Sequence, residues 1–139
     1  MRRSLLIGTL FFLFGSSVVA AEAEPAQLRT GRYLNGRAWR SMDTVAKSSY
    51  LFGLQDGYRF SGYNNGKPDA FREFAGDIAF KVTPAEVREQ IDLLYSDSAN
   101  VLIPVPAAFG YALRRLDGTP SERLNQILAE LRRAAIDAQ

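Results

Sequence analysis

Two tetrapeptides of one design, Thr83-Pro84-Ala85-Glu86 and Thr119-Pro120-Ser121-Glu122, constrain this chain more than any other feature. In each, the threonine hydroxyl can cap a free amide and the glutamate can reach back to the threonine amide. The proline between them has no amide to leave unpaired. Each tetrapeptide therefore predicts a helix start. After the first, Val87, Ile91, Leu94 and Tyr95 recur at helical spacing; after the second, Leu124, Ile127, Leu128, Leu131 and Ala135 form an apolar stripe. Between them, Pro104-Val105-Pro106 opens another helix through Phe109, Ala112, Leu113 and Leu116, which Gly118 stops.

The first strong helix is expected at Ser41, with Ser41 as N-cap and Asp43 in the first turn, where the helix dipole favours a negative charge. It runs through Val45, Ala46, Tyr50, Gly53, Leu54, Gly57 and Tyr58. Gly53 and Gly57 lie four apart, and each costs about 1 kcal/mol relative to alanine in a helix interior. Close approach of a neighbouring helix is the expected reason. Residues 61–68 read as a loop, a short helix follows from Pro68 or Asp69 to Phe74, and residues 76–82 read as irregular or briefly extended. Strand-like alternation is nearly absent. The sequence predicts an all-α domain, a compact array of four or five helices, with one small hairpin around residues 60–82 as the alternative.

The start of the chain reads as an export signal. Basic Arg2-Arg3 is followed by apolar Leu5 to Phe14 and then by the small residues Gly15 to Ala21. Cleavage is expected after Ala20 or Ala21. Leu5 to Ala21 is 17 residues, short of the roughly 20 that a spanning helix needs, so a retained anchor is the rival reading. Residues 1–21 are thus read as a signal peptide, 22–30 as a flexible lead-in and 31–139 as one helical domain, periplasmic or secreted. Membrane contact is expected only through an uncleaved signal.

Of the 17 Lys+Arg and 15 Asp+Glu, only Arg2 and Arg3 precede the cut, so the mature chain carries 15 of each sign. The basic footprint of a nucleic-acid binder is missing from such a balance. Without cysteine the domain has no disulfides, and about 118 residues must hold together by packing alone. Without histidine there is no Ser-His-Asp triad, and a zinc or copper site would have to be all carboxylate. Neither a phosphate-binding nor a dinucleotide glycine motif is present. Asn64-Asn65-Gly66 with Asp69 lacks the spacing of an EF-hand. No cofactor or metal is expected.

Paired carboxylates remain possible chemistry for a glycosidase, with Asp56, Glu73, Asp92 and Asp97 as candidates by type, though no spacing selects a pair. Arg88 is the expected partner of Asp92, and Asp97 is expected to cap a turn. Binding residues are read from three stretches. Asn35-Gly36-Arg37-Ala38-Trp39 holds the single tryptophan among arginines, residue types that anchor interfaces; core burial of Trp39 is the competing reading. Leu54-Gln55-Asp56-Gly57-Tyr58 places Asp56 where Arg37 could clamp it. In the third, Tyr95 and Asn100 lead into Val101-Leu102-Ile103-Pro104, an apolar strip that packs in its own domain or serves a partner. Arg37, Trp39, Asp56, Tyr58, Tyr95 and Asn100 are the candidate binding residues.

Asn-Gly-Arg-x-Trp (35–39), Gly-x-x-Asp-Gly (53–57) and Asp-x-x-Tyr-Ser-Asp-x-x-Asn (92–100) together resemble a pattern of small, uncharacterised secreted bacterial helical domains over residues 31–117. The tryptophan, followed by a helix with a tyrosine and spaced glycines, is also similar to the Rap1a/Tai-type periplasmic immunity proteins, which neutralise a cell-wall amidase toxin. That resemblance implies a helical fold and a protein partner. The chain departs from those proteins in lacking cysteines and in its last capped helix, and no toxin-binding residue carries over.

The expectation is a non-enzymatic exported binding protein, of inhibitor or immunity-like type, with a protein partner met near Trp39 and Asn100. A small carboxylate hydrolase of envelope glycan and a structural or stress-related envelope protein are the alternatives.

Overall fold

The structure, a computed structural model, describes residues 26–67 and 69–139. The signal peptide and residues 22–25 of the lead-in lie outside the described residues. From Ala26 the chain is regular. A 3-10 turn, Ala26–Leu28, leads into β1 (Arg29–Thr30), which pairs antiparallel with β2 (Tyr33–Leu34). The hairpin loop is Gly31-Arg32, with Gly31 at φ +58°, a conformation glycine adopts without a Cβ penalty. The small hairpin of this fold thus lies at residues 29–34 rather than 60–82, and Thr30 is buried.

Six α-helices follow among the described residues: α1 (Gly36–Ser41), α2 (Thr44–Asn64), α3 (Ala70–Ala75), α4 (Pro84–Ser96), α5 (Val105–Leu116) and α6 (Ser121–Asp137). The fold is all-α, with four long helices and two short ones. The helix expected to start at Ser41 starts instead at Thr44, and a short helix that was not expected, α1, ends at Ser41. Asn35 caps α1 through its side chain, and Asp43, not Ser41, caps α2, its Oδ1 accepting from the Ala46 amide at 2.7 Å. α2 runs on to Asn64, six residues past the expected end, and residues 77–80 form a 3-10 turn.

The two tetrapeptides part company. At α4 the capping box is complete: Glu86 Oε2 accepts from the Thr83 amide at 2.7 Å, and Thr83 Oγ1 accepts from the Glu86 amide at 3.3 Å. At α6 no side chain caps the start. The Thr119 amide instead donates to Arg114 O at 3.0 Å, closing the end of α5 over Gly118 at φ +79°. The same amide cannot serve both helix ends, and the C-cap of α5 takes it.

α4 and α5 lie against each other at the centre; α2 packs on α3 and α4, and α6 covers α5. Their buried faces are close to those read from spacing: Val87, Ile91, Leu94 and Tyr95 from α4, Phe109, Ala112 and Leu113 from α5, Leu124 and Ala135 from α6. Among the described residues no helix is long and apolar enough to cross a membrane.

Candidate functional site

The six predicted binding residues divide between the core and the surface. Trp39 is fully buried, and its Nε1 donates to Asp92 Oδ1 at 2.7 Å. Lys47 Nζ reaches the same oxygen at 2.7 Å and sits 5.4 Å from the centre of the Trp39 ring. Asp92 is therefore a fixed acceptor serving Trp39 and Lys47, while Arg88 donates to Ser48 Oγ at 3.3 Å. Tyr95 is buried, its hydroxyl donating to Ile103 O at 2.8 Å, and burial pushes its pKa far up, with Tyr50 adding to the shift. Asn100 is buried too: Nδ2 donates to Leu94 O at 2.7 Å, and Oδ1 accepts from Arg132 Nε at 2.8 Å.

The strip that follows Asn100 is committed to its own domain. Val101 O accepts from the Gly36 amide (2.9 Å), Leu102 O from Thr30 Oγ1 (2.6 Å) and Ile103 O from Tyr95. Gly36 is required there, because a Cβ would clash with the Tyr95 ring and lie 2.9 Å from Val101 Cα. The surface expected near Trp39 and Asn100 is thus corrected to a sealed, hydrogen-bonded interior. Asn35 is the residue the sequence reading missed: fully buried, its Oδ1 accepts from the Arg37 amide at 3.0 Å while its Nδ2 donates to Gln27 O at 3.1 Å. An asparagine directly before a helix start was the available signal.

The expected Arg37–Asp56 clamp is absent. Exposed Arg37 donates to Gln27 O at 3.3 Å, and Asp56 is an exposed α2 residue 3.8 Å from Arg59. Gly53 and Gly57 correct a second expectation. No helix approaches them, and a Cβ on either would meet no atom within 4 Å. Asp97 caps the 3-10 turn 98–100 as read from the sequence and also pairs with Arg132 at 2.7 Å.

Two surfaces stay uncommitted on the α2 side. The first is convex. Phe52, Phe60 and Tyr63 project from α2 at 54%, 67% and 75% exposure, and Phe80 stands nearby on the 77–80 turn. Arg59 lies 5.3 Å over Phe71 and Arg72 lies 5.2 Å over Phe80, and these four residues with Tyr63 and Asp69 line one depression. Stacking on rings preorganises the guanidinium groups; Arg59 also pairs with Asp56 at 3.8 Å and Arg72 with Asp77 at 3.5 Å, exposed contacts that occupy only part of each five-donor fork.

The second surface is concave. Two cavities of about 350 and 360 Å³ share Tyr33, Tyr58 and Pro106 and form one trough between α2 and the first turns of α5. Tyr58 stacks on Phe74 with centroids 4.6 Å apart, and Phe74 lies across Gly110, where a Cβ would stand 3.0 Å from its ring. Burial raises the Tyr58 pKa, with Tyr33 adding to the shift, so the hydroxyl stays a donor through the neutral range. Beyond Phe74 a cavity of about 570 Å³ is lined by Asp117 and Glu130 together with Arg114 and Arg123. Asp56, Asp92 and Asp97, carboxylates named from sequence, do not line it.

No protein-family model matches this chain, and neither does any curated protein or solved structure.

Proposed function

We propose that this chain is an exported, non-enzymatic binding protein that holds a protein partner through the aromatic–arginine face of α2 and α3. The observation that carries the reading is the exposure of Phe52, Phe60, Tyr63 and Phe80 on one side, interleaved with Arg59 and Arg72 stacked on rings. Exposed aromatic and arginine side chains are the types that dominate binding energy at interfaces, and contiguous apolar surface on a soluble domain marks an interaction site. The leader supports the periplasm or the exterior as the place of action. An inhibitor or immunity-like role is the form this binding takes when the partner is a toxic enzyme.

The test is in-cell photo-crosslinking with a benzophenone analogue of phenylalanine at Phe60, and at Ile136 as an exposed control on α6. A discrete adduct of defined mass from position 60 and not from position 136 is expected. Equal labelling from both positions, or no adduct at 60, would overturn the reading.

A further inference from the structure

We propose that the trough between α2 and α5 is a docking groove for an extended, proline-containing peptide segment that carries a carboxylate. The site is separate from the convex face argued above and independent of it.

Its walls include Tyr33, Tyr58, Phe74, Pro104 and Pro106, with Ile127 and Leu131 of α6 beside them. Grooves walled by aromatic rings and prolines suit a polyproline II segment, whose rings pack on flat faces. Such a segment has no internal hydrogen bonds, so its carbonyls need donors. Tyr33, Tyr58 and Ser61, all of which line the trough, carry hydroxyls that can supply them. A docked helix would leave these donors unused, since its carbonyls are already paired within it.

Charge fixes the second property. Among the described residues lining the trough, Arg114 is the one charged side chain, and it makes no ion pair among them. Its Nη1 lies 3.6 Å from where a Cβ on Gly110 would stand, so the guanidinium rests on the bare helix surface beside Phe74. Arg114 also borders the neighbouring cavity that holds Asp117 and Glu130 but forms an ion pair with neither among the described residues, so its donors stay open to a ligand carboxylate in the trough. Gly53 and Gly57 then have a use: with no packing neighbour to require them, they deepen the α2 side of the same trough.

The experiment titrates the purified protein with an acetylated, amidated nonapeptide of three Pro-Pro-Glu repeats, and with its Pro-Pro-Lys counterpart, followed by amide NMR shifts. Shifts should cluster at Gly53, Gly57, Tyr58, Ser61 and Gly110. The glutamate peptide should bind at least about tenfold tighter, the worth of one charge-assisted hydrogen bond. Arg114→Gln should bring the two peptides within about twofold of each other. Gly57→Leu, or Gly53→Leu if that variant melts higher, should abolish the shifts without lowering the melting temperature. Shifts elsewhere, equal affinity for both peptides, or full binding by the leucine variant would overturn the proposal. So would a trough that takes up a neutral oligosaccharide and neither peptide.

Discussion

Where the hairpin and α1 meet the 97–104 segment, buried side chains are matched to partners; along the outer side of α2 and α3, large rings face solvent. Around Trp39, Tyr95, Asn35 and Asn100, buried polar atoms have named acceptors or donors within 3.3 Å, and three consecutive carbonyls, 101 to 103, are each claimed. On the α2 side, by contrast, Phe52, Phe60 and Tyr63 are more than half exposed. A fold of this size buries its aromatics where its stability depends on them. The contrast places stability in the first region and leaves the second as the face proposed for recognition.

The largest effect that can break this comparison is expected at Trp39. Trp39→Ala should destabilise the fold by about 3–5 kcal/mol, the usual cost of truncating a buried ring, and leave Asp92 without its indole donor. Chemical denaturation measures it; a loss under ~1 kcal/mol would move Trp39 out of the structural region.

Tyr95→Phe comes next. It strands the buried Ile103 carbonyl at a cost of about 1–3 kcal/mol. Because the folded protein holds the Tyr95 pKa above its ordinary value of 10.0, the tyrosine contribution is fully present below pH 10 and is lost as pH rises and the unfolded chain ionises. The alkaline limb of the stability profile should therefore be flatter in Tyr95→Phe than in the native protein.

Gly53→Ala should go the other way, stabilising by about 1 kcal/mol, since no atom opposes a Cβ there and alanine favours the helix. The smallest effect belongs to Glu86. Hydrogen bonds from the Thr83 amide and hydroxyl hold its pKa below 4.5, so its contribution is present above that pH and lost as pH falls. Glu86→Gln should flatten the acid limb slightly.

The helices were legible because their signals are local. The capping box at Thr83, the apolar spacing of α4 and α6, and the glycine stop at Gly118 need no knowledge of the rest of the chain. The second box failed because the Thr119 amide had a competitor in Arg114 O, which lies inside α5, five residues earlier, and outside the tetrapeptide. The site was less legible for a related reason. Trp39, Tyr95 and Asn100 have the residue types of an interface, and only tertiary contacts show that each polar atom is already used. Phe52, Phe60 and Tyr63 lie on a helix that already has an apolar face in Leu51, Leu54 and Tyr58; a helix apolar on two sides has a weak periodic signal. The glycine pair stood out, but its spacing alone could not tell a packed helix from an open trough.

The most direct test of the division is the triple variant Phe52→Ser, Phe60→Ser, Tyr63→Ser, read by thermal melting and by recovery of the partner crosslinked at Phe80. The account predicts stability within about 0.5 kcal/mol of the native protein, as for exposed surface substitutions, together with loss of the adduct. A destabilisation of several kcal/mol with the adduct retained would contradict it, making this face part of what holds the fold.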